Sequence, residues 1–101
     1  MAKFITRIEL HEADSSDYDT LHEEMKNEGF DKTINGDDNK AYHLPNGEYY
    51  FNQLIEIHPI KKDYQIVLDK AISASKKTKK KFSVITCRAD AFNWYQLDPI
   101  D

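Results

Sequence analysis

The sequence predicts an α+β domain with two helices and an antiparallel sheet. Three observations carry that expectation. Apolar residues alternate with polar ones near the start, recur at helical spacing in two later stretches, and return to alternation around and after each of these. The 101 residues suffice for one modest core and are too few for two, so a single domain over residues 1–101 is expected.

The first strand is "KFITRIELH", residues 3–11, with Phe4, Thr6, Ile8 and Leu10 on one face and Ile5, Arg7, Glu9 and His11 on the other. A helix follows in "DSSDYDTLHEEM". Ser15 or Ser16 is placed to cap it, Asp17 and Asp19 complement its positive end, and Tyr18, Leu21 and Met25 form the apolar stripe, with His22 as a further candidate for it. Gly29 is the stop signal. "FDKTI", the turn-rich "NGDDN" and "KAYHL" predict a strand bent or folded into a hairpin. "PNG" at 45–47 is a turn, and "EYYFNQLIEI" a long third strand whose Tyr49, Phe51 and Gln53 share a face. Pro59 suits the first position of a second helix, in which Tyr64, Val67, Leu68, Ala71 and Ile72 recur at helical spacing. "KFSVITC" predicts the last core strand, with Cys87 as a buried structural thiol, and "FNWYQL" a short terminal strand after a turn near "RADA". Strand, helix, strand, strand, helix, strand is the ferredoxin-like βαββαβ order, with both helices on one face of the sheet.

Composition excludes several functions. The lone Cys87 rules out an intramolecular disulfide and a cysteine-rich metal site. His11, His22, His43 and His58 lack paired metal spacing, no glycine-rich phosphate loop exists, and no nucleophile motif appears, so no metal or cofactor is expected. No apolar run is long enough for a membrane span, and "MAKFITRIEL" has no apolar signal core, which makes the cytoplasm the default expectation.

Charge is unevenly distributed. The formal net charge of −4 hides −8 over residues 1–58, with five basic and thirteen acidic side chains, and +4 over residues 59–101, with nine and five. Five of the basic residues, Lys76, Lys77, Lys79, Lys80 and Lys81, fall where the second helix ends. Cations there complement the negative helix terminus, each by roughly 0.3–1 kcal/mol at low salt. Five exceed what capping needs, and the excess suits phosphate contact. Arg7, Glu9 and His11, side by side on the non-core face of the first strand, have the chemistry to hold and polarise a phosphodiester. The same pattern is also that of an ordinary water-facing strand.

The order of these features resembles a known family. A first strand containing "RIELH", then "SS", a helix "DYDTLHEEM" ending in "GF", and the "YHLP" and "LPNGEYYF" stretches are similar to GhoS-like proteins and their short ferredoxin-like relatives, over residues 4–95. GhoS-like proteins are endoribonuclease antitoxins of type V toxin–antitoxin systems. The resemblance implies cleavage of a toxin's messenger RNA, in a fold akin to the small CRISPR-associated nucleases. It implies an acidic catalytic residue near the end of the first strand, where this chain has Glu9, with Asp14 as the loop alternative. A family arginine on the first helix falls near His22, which would bind phosphate or shuttle a proton. Arg7, His11 and the five lysines would then face the RNA backbone.

A rival from another class is a non-catalytic interaction module, such as a phage- or mobile-element-encoded inhibitor of the anti-CRISPR kind. Its acidic first helix, with Glu23, Glu24 and Glu28, would dock on a basic partner protein. Under either reading a homodimer through a sheet edge or face is expected, and no membrane association.

Overall fold

The structure is a computed structural model that describes residues 2–89, 91 and 93–100. The expected α+β class is what it has. Its elements are β1 (Phe4–Leu10), α1 (Ser15–Asn27), β2 (Phe30–Asp31), β3 (Thr33–Asn35), β4 (Ala41–His43), β5 (Glu48–Phe51), α2 (Asp63–Lys76) and β6 (Phe82–Arg88). A four-stranded sheet runs in the order β2-β5-β1-β6 with every pairing antiparallel, and β3 and β4 form a separate two-stranded sheet. α1 therefore connects β1 to β2 across β5, and α2 connects β5 to β6 across β1. That order is compatible with a ferredoxin-like arrangement.

The core is built on one face of the sheet. Phe4, Ile8 and Leu10 of β1 and Tyr49 and Phe51 of β5 are buried with Leu21 and Met25 of α1 and Val67, Ala71 and Ala74 of α2. Phe51 stands edge-on to Phe4 at 6.3 Å between ring centroids and 5.0 Å from Phe30. Thr6, also inward and fully buried, has its hydroxyl satisfied by Thr86 at 2.8 Å. Because β1 pairs Phe4 with Arg88 and Leu10 with Phe82, the alternation leaves Ser83, Ile85 and Cys87 on the opposite, open face. Cys87 is accordingly exposed, and the expected buried thiol is corrected by register.

Several boundaries differ from expectation, each for a local reason. Asp14, not a serine, caps α1: its Oδ1 accepts from the Asp17 backbone N–H at 3.1 Å while the Asp17 carboxylate accepts from the Asp14 N–H at 3.0 Å. Gly29 does end α1, at a φ of +98°. The "FDKTI" strand divides at Lys32 between two sheets. The Lys32 ammonium donates to the carbonyls of Leu44, Pro45 and Glu48 at 3.2, 2.6 and 3.1 Å, so the chain bends around it. β3 and β4 form the anticipated hairpin across the "NGDDN" turn.

The third strand stops at Phe51, well short of the ten residues anticipated. Phe51 lies opposite Phe4 and Phe30, the first residues of its two neighbour strands, so nothing remains to pair with Asn52 onward. Pro59 does not open α2. The His58 imidazole accepts from the N–H groups of Ile60 and Lys61, which holds a bend, and the helix starts at Asp63 after the Gln65 side chain accepts from Lys62 N–H. Tyr64, anticipated on the apolar stripe, is 48% exposed in that first turn. Among the described residues of the anticipated terminal strand none is in a strand; a lone bridge, between Tyr42 and Pro99, lies beyond it. Asp90 and Phe92, within the "RADA" turn and the "FNWYQL" stretch, lie outside the described residues.

Candidate nucleic-acid interface

Alternation in β1 puts Arg7 and Glu9 on the open face, both exposed, with His11 directly beyond the strand end. The register sets Glu9 opposite Ser83. His11 is tied to the same neighbour: its N–H donates to the Lys81 carbonyl at 2.8 Å and its Nε2 lies 3.1 Å from the Ser83 hydroxyl. The imidazole is thus fixed at the point where the lysine-rich connection enters β6. Among the described residues Arg7 and Glu9 form no ion pair with each other or with anything else.

The lysine run is a built loop. Lys76 closes α2, and the next three N–H groups, of Lys77, Thr78 and Lys79, donate to the carbonyls of Ala74, Ser75 and Lys76. Thr78 is buried and also donates its hydroxyl to the Ser75 carbonyl at 2.7 Å. Lys79 takes a left-handed φ of +61°, which turns the chain into β6. An open recess of about 460 Å³ results, lined by His11, Glu12, Lys79, Lys80 and Lys81. Two lysines of the run reach back to α1: Lys77 lies 3.7 Å from Glu24 and Lys80 3.7 Å from Asp17. Pairs this long and this exposed contribute little. Lys76, Lys79 and Lys81 have no acidic partner among the described residues.

The other two catalytic candidates sit elsewhere. Asp14 is occupied as the cap of α1, and hydrogen bonds from the Ser16 hydroxyl and the Asp17 N–H hold its carboxyl below the usual carboxylate range. A carboxylate so held is a weak base. His22 lies on the covered side of the sheet, half-buried, with its Nδ1 2.6 Å from the Tyr49 hydroxyl. Burial, and then the Lys32 ammonium, lower its pKa, which keeps the imidazole neutral at pH 7. Tyr49 is itself pushed up by burial. The sheet therefore separates His22 from Glu9 and His11.

The acidic trio of α1 is divided in the same way. Glu23 is exposed, Glu24 is half-buried beside Lys77, and the half-buried Glu28 forms the helix C-cap. No group of three potential metal ligands occurs among the described residues, and no helix among them is long and apolar enough to cross a membrane.

Two residues beside the candidate groups escaped the sequence reading. Ser83 could have been found, since alternation through "KFSVITC" sets it on the same face as Glu9 once β1 and β6 are paired. Lys32 gave a weaker signal, a lone lysine between apolar positions. Burial pulls its ammonium down to about 8, and it stands 5.1 Å from the Tyr49 ring centroid. In comparisons with family models, curated proteins and solved structures, nothing matches this chain.

Proposed function

We propose that this chain is a GhoS-like, RNA-directed protein that grips a single-stranded phosphate backbone at the end of β1. One observation carries the reading: His11, directly after the first strand, shares a recess with Lys79, Lys80 and Lys81 from the α2–β6 connection, in which Glu12 is the one acidic lining residue. A cationic cradle next to a positioned imidazole suits a phosphodiester. The open sheet face, with Arg7 and Glu9 following from His11, gives the strand a path away from the recess. The ferredoxin-like reading of the fold is supported by the β2-β5-β1-β6 order and the two crossover helices. In an endoribonuclease built this way, Glu9 would take the proton from the attacking 2′-hydroxyl. His11 in its protonated form would supply one to the leaving 5′-oxygen. Asp14 and His22, occupied by the α1 cap and by Tyr49, would act through stability instead.

The rival, docking of an acidic α1 on a basic partner, has less free surface to work with. Of its three glutamates Glu23 alone is exposed, while Glu24 and Glu28 are half-buried.

Fluorescence anisotropy with a labelled single-stranded RNA at low salt tests the proposal. Wild type should bind, and Lys79→Gln/Lys80→Gln/Lys81→Gln should weaken binding at least tenfold. Glu9→Gln and His11→Ala should leave the RNA uncut wherever wild type cuts it. Wild-type protein that leaves a mixed RNA pool unbound ends the RNA reading, and binding without cleavage ends the nuclease part alone.

A further inference from the structure

His11 is held at two points and open at a third. Its N–H donates to the Lys81 carbonyl at 2.8 Å, which ties the backbone beyond β1 to the start of β6, and its Nε2 lies 3.1 Å from the Ser83 hydroxyl. Nδ1 has no hydrogen-bond partner among the described residues. The chain then turns away at once, at Glu12 with a φ of +51°, and Lys79, which lines the same recess, has a φ of +61°. Two residues without glycine's freedom thus take left-handed backbone at one recess, a conformation that persists where the surrounding structure imposes it.

Strand register puts Ser83 in its place. The pairing of β1 with β6 sets it opposite Glu9, and both are exposed on the open face of the sheet. Ser83 therefore stands beside the proposed base and in contact with the proposed acid.

We infer that Ser83 is a positioning residue that reserves the Nδ1 nitrogen of His11 for the scissile phosphate. This rests on the RNA-cleavage reading above and assigns its proton transfers to atoms. The 2′-oxygen bonds to phosphorus while Glu9 takes its proton. The bond from phosphorus to the 5′-oxygen breaks, and that oxygen takes the Nδ1 proton of the His11 imidazolium. The products are a 2′,3′-cyclic phosphate and a free 5′-hydroxyl. In the imidazolium both ring nitrogens carry hydrogen, and Nε2–H donates to the Ser83 oxygen. Once Nδ1 has given up its proton, the neutral ring still carries hydrogen on Nε2, so the bond to Ser83 survives the step. The ring stays aimed throughout, which removes a reorientation from the reaction. With the two nitrogens exchanged, the Ser83 bond would have to break before Nε2 could reach a substrate.

Two measurements separate this inference from the reading beneath it. The first is NMR of the imidazole nitrogens and uses no RNA. Inorganic phosphate added to wild type should shift His11 Nδ1 more than Nε2. The ring should hold one χ1 rotamer in wild type and Ser83→Thr, and average over several in Ser83→Ala. A larger shift at Nε2, a shift at neither nitrogen, or a ring as ordered in Ser83→Ala as in wild type overturns the inference. The phosphate titration needs wild type alone, so it decides even if Ser83→Ala does not fold. The second measurement is single-turnover RNA cleavage. Ser83→Ala should slow it about tenfold, the scale of one neutral hydrogen bond, with RNA affinity unchanged. His11→Ala should slow it roughly a hundredfold or more, and Ser83→Thr should restore the wild-type rate. Ser83→Ala cutting as fast as wild type overturns the inference and leaves the nuclease reading standing. Wild type that binds RNA without cutting it removes both.

Discussion

Gly47→Ala isolates the joint between the β5 turn and β1. Gly47 is buried at a φ of +88°, its carbonyl accepts the Ile8 N–H at 2.7 Å, and a Cβ placed there would stand 2.6 Å from the Ile8 carbonyl oxygen. That neighbour is main chain in the middle of β1, between Arg7 and Glu9, and it cannot swing aside as a side chain would. An alanine held at positive φ costs about 1–2 kcal/mol. Relieving the overlap means moving β1 from the turn and weakening the Ile8 hydrogen bond, worth a further ~0.5–1.5 kcal/mol. The expected loss is therefore about 2–3 kcal/mol, a fall in Tm on the order of 10–20 °C for a domain of this size. Urea unfolding followed by circular dichroism measures it, and the midpoint should fall with an unchanged slope. Gly47→Ala within about 0.5 kcal/mol of wild type would refute the reasoning, since that is the size of an ordinary surface substitution.

Two further perturbations act on the covered side of the sheet. Lys32→Met should destabilise by about 1–3 kcal/mol in the same assay, because three carbonyls lose a charged donor while the apolar stem is largely preserved; a neutral or stabilising result would mean the buried cation is a net burden. His22 gives a pH dependence. Its pKa is lowered on folding, so the unfolded chain takes up the proton first. Its contribution is present above the ordinary imidazole value of about 6.5 and is lost as the pH falls below it. Urea midpoints between pH 7 and pH 5 should drop less for His22→Gln than for wild type; equal drops would show that His22 titrates as freely as in the unfolded chain.

Much of the fold was legible because periodicity changes cleanly along the chain. β1, α1 and β6 were anticipated almost residue for residue, and Gly29 and the "PNG" turn fell where expected. What was not legible depends on neighbours far away in sequence. "EYYFNQLIEI" alternates throughout, yet only its first four residues are paired, because strand length is set by where β1 and β2 begin. Pro59 has the chemistry of a helix start, but the His58 ring captures the N–H groups of Ile60 and Lys61 first. Cys87 was misjudged because the helices cover one face of the sheet and the register with β1 sets Cys87 on the other. In the candidate site, Arg7, Glu9 and His11 could be grouped by alternation and the lysines by composition. That His11 and Lys79–Lys81 line one recess could not, since it follows from the pairing of β1 with β6 and the left-handed turn at Lys79. Asp14 and His22 were site candidates through the family resemblance, and the structure occupies them with the α1 cap and with Tyr49.

The salt dependence of RNA binding tests the central claim most directly. If Lys79, Lys80 and Lys81 each meet a phosphate, log K against log salt should lose a slope of about 2 when all three become glutamine. Wild type should then weaken at least tenfold more than Lys79→Gln/Lys80→Gln/Lys81→Gln between about 50 and 200 mM salt. Parallel slopes for the two proteins would contradict the account, because the phosphates would then lie somewhere other than the recess beside His11.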